Sequence, residues 1–451
     1  MKARVRYYYW LIIVFAQKHF RLILVSFLIS FITIVALISL SPYVETFFVS
    51  KKTVYGIIGK YDYNNIPEEI ISKISNGLLY VNEKGSLVPI LVNSWEIKDG
   101  GKQYRLHLRN DLYWSNGKKL LAEDIVSQFR NIKTKITDDF IIDFFLDKPL
   151  AIFPTYLQKP LIKSPLIGVA GLYKISQIKT KFGYITELRL EPNKTNLNPV
   201  IYKFYNDEAQ LVAAYKKAEV NSITVNKKSI ADTFKNWKNS SVGRSVDYSK
   251  LMTLFINFSN EKLKEKEIRE ALNNAINYDY LTENGEVAVG PVQPTSWAYN
   301  QNLKRSTFDI ELAKKIFKKE VPASQSAVLK LVTYYEYYDI ADEMKKTFDS
   351  AGISADIQMA SPDKTPDFDL LLAYWKVPAD PDQYYFWHST QKLGNIGNYK
   401  NVKIDKLLED GRNTLNLGDR KKIYSDFQRV ILDDPPALFL YYPYVYTIKR
   451  V

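Results

Sequence analysis

The stretch 76–129, NGLLYVNEKGSLVPILVNSWEIKDGGKQYRLHLRNDLYWSNGKKLLAEDIVSQF, restricts the fold more than any other part of the chain. Two apolar runs, 78–81 and 87–95, flank the polar turn Asn82-Glu83-Lys84-Gly85 and predict paired strands with a tight connection. After a second turn, Asp99-Gly100-Gly101-Lys102, the residues Tyr104, Leu106 and Leu108 alternate with Arg105, His107 and Arg109. One face of that strand therefore meets a core and the other meets water. Asn116-Gly117 is hairpin-turn chemistry. Glu123 and Asp124 follow Ala122 and suit the positive end of a helix. Read physically, this is part of a mixed sheet with a helix packed on it.

The remainder extends an α/β pattern over a chain of 451 residues, long enough for two or three domains. A strand is expected over 51–60 and a helix over 67–74, then strands at 188–193 and 201–205 and a helix at 207–217. The run 251–258, LMTLFINF, is almost wholly apolar, as expected of a strand buried on both faces. Past a turn near Pro322, strand 328–333, helix 339–351 closed by Gly352, and strand 354–359 form a β-α-β unit. Residues 368–375 give another buried strand. Helices at 265–276 and 420–432 and a last strand from 435 to 440 complete the pattern. Residues 131–164 are weakly patterned.

Taken in order, Leu87-Val88-Pro89, Ser94-Trp95-Glu96, Asp99-Gly100, Trp114-Ser115-Asn116-Gly117 and Ala122-Glu123-Asp124 resemble the opening signature of a known family. These are the extracytoplasmic solute-binding proteins of peptide-type and nickel-type ABC importers, the family 5 type, similar to dipeptide- and oligopeptide-binding proteins. Ile268-Arg269-Glu270-Ala271-Leu272, Trp297-Ala298-Tyr299-Asn300, Asp380-Pro381-Asp382 and Asn395-Ile396-Gly397-Asn398-Tyr399 continue the resemblance. It implies a periplasmic-binding-protein-like two-lobed fold with mixed sheets. Lobe I would span 51–250, with an abbreviated subdomain insert near 131–165; lobe II would span 251–436; residues 437–451 would be a return strand to lobe I. The positions matching cleft-lining parts of the family pattern are Asn76, Gly77 and Leu78, Phe255 and Asn257, Tyr374 and Trp375, and Asn395 with Tyr399. At Gly168-Val169-Ala170-Gly171-Leu172-Tyr173 only the second glycine and the tyrosine match the family turn, which weakens a ligand role for that loop. A further departure follows Trp375. Peptide binders of the family often place an aspartate three residues on to hold the ligand's amino group, and here that position is Pro378.

Residues 22–44 carry no charge, and that length suits a bilayer-crossing helix. Lys2, Arg4, Arg6, Lys18 and Arg21 precede them and predict a cytoplasmic segment 1–21, a transmembrane anchor at 22–44 and an extracytoplasmic main body. The aromatic run 7–15 suits the cytoplasmic membrane interface. Ser39 and Ser41 leave a cleaved signal as the alternative, and Pro42 directly after them weighs against it. The chain has no cysteine, so a lipidated cysteine cannot hold it, and disulfides and thiolate metal sites are excluded.

Part of the +13 net charge lies in the basic N-terminus, and the rest is dispersed among acids, which does not point to nucleic acid. His19, His107 and His388 are the only histidines and offer no pair for a triad or a metal, and no H-E-x-x-H, G-x-S-x-G or phosphate-loop motif is present. No cofactor, metal or catalytic residue is expected. The expected function is a membrane-anchored, monomeric solute-binding protein that closes on an oligopeptide-like ligand for an ABC permease. Two rivals remain: a ligand-sensing or interaction protein on the same fold that serves no transporter, and a surface-polymer binder using its tyrosine-rich basic exterior, which would bind in a strongly salt-dependent way.

Overall fold

Strand Ala437–Arg450, 14 residues long, belongs to both halves of the molecule. Its first half pairs with Lys250–Ile256 and Gly285–Val287, and its second half with Ser222–Val225 and Ser240–Val246. Strands Ser240–Val246 and Lys250–Ile256 follow one another antiparallel to it, so 240–256 and 437–450 form a ribbon that carries the chain between two lobes. At the crossover the Asp247 N–H donates to the Pro443 carbonyl at 2.9 Å. Proline has no N–H to give, which suits a place where the ladder changes partner. The computed structural model describes residues 2–48, 52–129, 131–321, 328–361 and 366–451, with side chains of the N-terminal helices given for 9–11 and 13–35. Lys51 and the turn expected near Pro322 lie outside the described residues.

In lobe I, Thr53–Ile58 runs parallel to both Val200–Tyr205 and Ser222–Val225, and the hairpin Tyr173–Lys181 with Tyr184–Pro192 extends the sheet. Leu188, Leu190 and Tyr202 pack against Ile70 and Ile74 of helix Glu68–Ile74. The opposite face packs Ile223, Tyr446 and Ile448 against Leu211 and Tyr215 of helix Glu208–Lys216. In lobe II the expected β-α-β unit is present: Leu329–Thr333 and Ala355–Met359 are parallel, joined by helix Tyr338–Ser350. Strand Lys250–Ile256 is buried on both sides. Met252, Leu254 and Ile256 join the core under helices Lys266–Asn274 and Tyr338–Ser350, whereas Leu251 and Phe255 join the core under Val402–Asn413 and Leu417–Asp433. A strand covered by helices on both faces has no polar side, which explains its uninterrupted apolar run.

Residues 76–165 form a subdomain of their own. Leu79–Val81 pairs with Leu87–Pro89, and a separate sheet orders Val92–Lys98, Gln103–Leu108, Ile141–Phe145 and Lys133–Asp138. The run 87–95, expected as one strand, is thus split between two sheets, because the Leu78 carbonyl accepts from both Ile90 and Leu91 N–H at 3.2 Å. Residues 131–164 supply the other half of the sheet. Lys133–Asp138 is an edge strand exposed along nearly its whole length, so it carries no alternation to read. Asp124 ties the subdomain together. Its carboxylate accepts from Trp114 Nε1 at 2.9 Å and from the Leu121 N–H at 3.2 Å, and it pairs with Lys163. The five-residue helix Ala122–Val126 is too short to develop much dipole, so this carboxylate acts as a bracket rather than as a dipole partner.

The N-terminal residues form helices Lys2–Lys18 and Phe20–Phe48. Among the described residues no single helix is long and apolar enough to cross a membrane, although Tyr9–Lys18 and Phe20–Val35, bent by 77° at the break, meet those criteria as a pair.

Burial pushes the Asp124 pKa up, but hydrogen bonds from Lys163 and Trp114 outweigh it and leave the pKa below the ordinary value. Stabilisation by this carboxylate is therefore complete above the unfolded pKa of roughly 3.9 and is lost as pH falls through the lower folded value. Asp124→Asn should cost about 1–3 kcal/mol at pH 7. The deficit should shrink towards pH 3, as urea titrations at the two pH values would show.

Candidate functional site

The lobes face each other at the carboxyl ends of their strands. Val225 pairs with Tyr446 close to the crossover, so the parallel strands of lobe I end on that side. Lys376 pairs with Lys250, so Leu370–Lys376 and its parallel neighbours Leu329–Thr333 and Ala355–Met359 end there as well. Open α/β sheets bind ligands in such a crevice, where the exposed ends of strands offer backbone groups and short loops. Lys376 Nζ reaches Glu68 Oε2 across the gap at 3.5 Å, both side chains being about four-fifths exposed. On the lobe II wall, Tyr334, Tyr337, Tyr374 and Tyr441 meet edge to face in series, with ring centroids 6.4, 5.1 and 6.1 Å apart. Burial pushes the Tyr374 phenol up to about 12, so it stays protonated and donates to the Tyr441 hydroxyl at 3.2 Å.

The subdomain closes one side of this space against lobe II. The Ala151 N–H donates to the Arg412 carbonyl at 2.6 Å. A Cβ placed on Gly101 would lie 3.0 Å from Leu415, and one on Gly85 3.0 Å from both Leu417 and Trp297. Between the two bodies lies a cavity of about 740 Å³, bordered by Lys133, Phe145 and Pro149 on one side and by Tyr384 and Arg412 on the other. Behind that wall Arg412 Nε holds Asp382 at 2.9 Å and lies 4.0 Å over the Tyr384 ring. Arg420 holds Asp380 at 2.9 Å. Both carboxylates that follow Trp375 are thus engaged with buried or half-buried guanidinium groups, and Val377 beside Pro378 is fixed by its N–H to the Ser249 carbonyl at 2.9 Å.

The nine residues expected at the cleft fall into three places. Asn76, Gly77 and Leu78 lie where the subdomain leaves lobe I. The Asn76 amide donates to the Ala170 carbonyl at 2.7 Å, Leu78 is fully buried, and a Cβ on Gly77 would collide with the Gln158 carbonyl at 2.3 Å. Tyr374 and Trp375 stand at the crevice end of their strand, Trp375 turned inward with its indole N–H on Thr253 Oγ1 at 3.1 Å. Phe255, Asn257, Asn395 and Tyr399 sit towards the opposite end of lobe II. Phe255 stacks on Trp387 at 6.2 Å, Asn257 Nδ2 donates to the Phe368 carbonyl at 2.8 Å, and Asn395 Nδ2 donates to the Tyr399 carbonyl at 2.7 Å. The Tyr399 hydroxyl donates to the Asp434 carbonyl at 3.0 Å. The loop 168–173 is bound up in backbone pairing: Ser115 N–H donates to the Gly168 carbonyl at 2.8 Å, and Gly168 lies so close to Ile74 that a Cβ would sit 2.1 Å from its carbonyl oxygen. Of the residues the sequence did not single out, Glu68 and Lys376 border the crevice and Arg412 and Arg420 stand behind its wall; their partners lie at least 30 positions away, and local pattern carries no trace of such pairings.

His388 is buried, stacks on Tyr384 at 4.0 Å and shares hydrogen bonds with Thr390 at 2.9 Å and Glu409 at 3.2 Å. Among the described residues no group of acidic and histidine side chains is arranged to hold a metal ion.

A two-lobed body with strand ends opposed across a crevice defines a class of ligand-closing receptors, and comparison with known proteins specifies it. The chain belongs to the bacterial extracellular solute-binding proteins of family 5, whose model matches residues 86–153 and 157–396. Oligopeptide-binding protein AppA of Bacillus subtilis is 24% identical, the match covering 85% of this chain and 83% of that one. Nickel-binding protein NikA of Staphylococcus aureus is 20% identical over 82% and 83%. The fold is shared with NikZ of Campylobacter jejuni in complex with Ni(L-His), at TM-score 0.73, 23% identity and coverage of 89% and 94%. It is shared equally with B. subtilis AppA in complex with a nonapeptide, at TM-score 0.69, 22% identity and coverage of 88% and 94%. This is a family of substrate-binding proteins rather than enzymes.

Removing Arg412 would strand the buried Asp382 carboxylate, which burial already holds above its ordinary pKa against the pull of Arg412. Arg412→Ala should therefore cost about 3–5 kcal/mol at neutral pH. An acid with a raised folded pKa takes up its proton more readily folded than unfolded, so stability falls as pH rises through that range. The deficit should accordingly narrow on going from pH 7 to 4.5 in paired thermal melts.

Proposed function

We propose that this chain is an extracytoplasmic receptor, held to the membrane by its N-terminal helical segment, that captures an oligopeptide-like solute between its lobes and delivers it to an ABC permease. The observation that carries this reading is the opposition of two strand-end surfaces across a crevice whose lobes are joined by a paired crossing ribbon. A solute touching both walls makes its full set of contacts only when the lobes close, and that differential affinity drives the closure. The names of relatives such as oligopeptide-binding protein AppA support a peptide ligand. The dispersed histidines do not favour nickel.

With Asp380 and Asp382 bound to arginines, recognition rests on the ligand backbone and on aromatic surface around Tyr374 and Trp375 rather than on an ammonium anchor. Asn76, Gly77 and Leu78 shape the subdomain root facing the ligand, and the remaining expected positions, Phe255, Asn257, Asn395 and Tyr399, brace the far end of lobe II. The exposed apolar side chains from Leu22 to Val35, within the expected span 22–44, supply the membrane anchor, and the basic residues ahead of them keep the N-terminus in the cytoplasm. One chain supplies both walls, in keeping with a monomer.

A panel of peptides, oligosaccharides and nickel complexes read by thermal shift tests the proposal: some peptide should raise Tm by several degrees at saturating concentration. A protein that responds to no peptide, or to sugars alone, would sink it. For the peptide found, Glu68→Lys should weaken binding by up to about fivefold through loss of the exposed cross-lobe pair. The double exchange Glu68→Lys with Lys376→Glu should restore affinity, measured by isothermal titration calorimetry.

A further inference from the structure

Strand Gly285–Val287 joins the crossing ribbon next to the junction between the lobes, with Gly285 opposite Pro443 and Glu286 opposite Tyr442. Tyr441, one residue earlier, belongs to the tyrosine series of the crevice wall, and successive side chains of a strand point to opposite faces. Glu286 therefore stands on the face of the ribbon turned away from that series. Its side chain is half-buried, and both carboxylate oxygens accept from one group, the Tyr248 hydroxyl, at 2.9 and 3.0 Å. Although the chain has a net charge of +13, no lysine, arginine or histidine among the described residues pairs with it. A carboxylate drawn partly out of water costs free energy unless donors answer it, and it can accept about four hydrogen bonds.

Tyrosine surrounds this carboxylate. Tyr248 meets the buried Tyr442 edge to face at 5.2 Å, and Tyr444 follows Tyr442 by two residues, hence on the same face. Burial and then the bond to Glu286 push the Tyr248 phenol up to about 12, so it stays protonated and keeps donating. Tyr299, half-buried, is near enough for the Glu286 charge to add to burial in raising its phenol, yet its hydroxyl has no hydrogen-bond partner among the described residues. The same row of rings already carries one guanidinium, that of Arg244, 4.4 Å over the Tyr444 ring. Lone pairs without donors, an idle hydroxyl and rings that stack a planar cation together make a receptor for a cation that the chain does not itself supply.

We propose that Glu286, Tyr248 and Tyr299 bind a small organic cation, a guanidinium or a primary ammonium, at a site on the crossing ribbon separate from the solute crevice. The cation's N–H groups donate to the open side of the Glu286 carboxylate and to the Tyr299 hydroxyl, and its face lies against tyrosine. A planar guanidinium serves all of these contacts better than a compact ammonium, so it is the tighter binder.

The test titrates the full chain in detergent with n-butylguanidinium at low salt, followed by ligand-observed NMR, beside the variants Glu286→Gln and Tyr299→Phe. Glutamine still accepts from Tyr248, and phenylalanine removes a hydroxyl that bonds nothing, so both variants should keep the wild-type melting temperature. Glu286→Gln should weaken binding about tenfold or more, and Tyr299→Phe about threefold. n-Butylammonium should compete with lower affinity, and neutral n-butanol should not compete. No saturable binding by the wild type, equal binding by folded Glu286→Gln, or competition by n-butanol would overturn the proposal. Should Glu286→Gln fail to fold, equal binding by Tyr299→Phe would do the same. No solute enters this titration, so this reading and that of the crevice stand or fail independently.

Discussion

The pairing of strand Ala437–Arg450 with both sheets is the constraint on which the rest depends. A single strand with its first half in one lobe and its second in the other fixes the twist and register of both sheets from one place. Backbone hydrogen bonds along the ribbon 240–256 and 437–450 resist sliding, whereas rotation about the junction near residues 247–249 and Pro443 breaks few of them. The fully buried cores divide near that boundary: those of lobe II include Tyr441 and Tyr442, with Val246 and Tyr248 packed against them, and that of lobe I includes Tyr446, with Tyr444 packed against it. Each lobe is thus packed as a body of its own, joined to the other through the ribbon.

The subdomain 76–165 turns this two-body device into a three-sided enclosure. It is covalently part of lobe I yet touches the last turn of helix Val402–Asn413 at Arg412 and the loop leading to Leu417–Asp433 at Leu415. Lobe II prepares that surface with two ion pairs shielded from water, Asp380 with Arg420 and Asp382 with Arg412. Such pairs add little net stability, since desolvation offsets most of their attraction, but they fix the direction of the chain after Trp375 more strictly than apolar contacts would. The wall facing the crevice is therefore stiff on the side where the subdomain presses against it.

Much of this was legible in the sequence where periodicity and turn chemistry act locally. The alternation at Tyr104, Leu106 and Leu108, the doubly buried strand expected over 251–258 and found at Lys250–Ile256, and the β-α-β unit whose helix closes before Gly352 all follow from one-dimensional pattern. The split of 87–95 between two sheets was not legible, because it depends on the Leu78 carbonyl, a partner from another strand. Edge strand Lys133–Asp138 left no mark because exposure on both faces removes alternation. Of the nine residues matched to the cleft, Tyr374 and Trp375 reach the crevice end of a strand, whereas Asn395 and Tyr399 are spent on hydrogen bonds that shape a turn and brace Asp434. Sequence pattern marks positions that matter to a fold, and it does not separate a side chain that meets a ligand from one that holds the wall in place. Pairs such as Glu68 with Lys376 bring together residues hundreds of positions apart, which no window could show.

The distribution of polar groups also bears on what kind of solute the proposed receptor can distinguish. A free carboxylate in the crevice would select for an amino terminus and against ligands lacking one, because an unpaired buried charge is costly to leave unmet. Here the carboxylates after Trp375 are neutralised from behind and the nearby wall is tyrosine, whose hydroxyls donate or accept and whose rings accept apolar contact. Such a wall discriminates by length and shape more than by terminal charge. On the proposed reading this chain should accept a range of peptide sequences, with the subdomain side of the enclosure limiting their length.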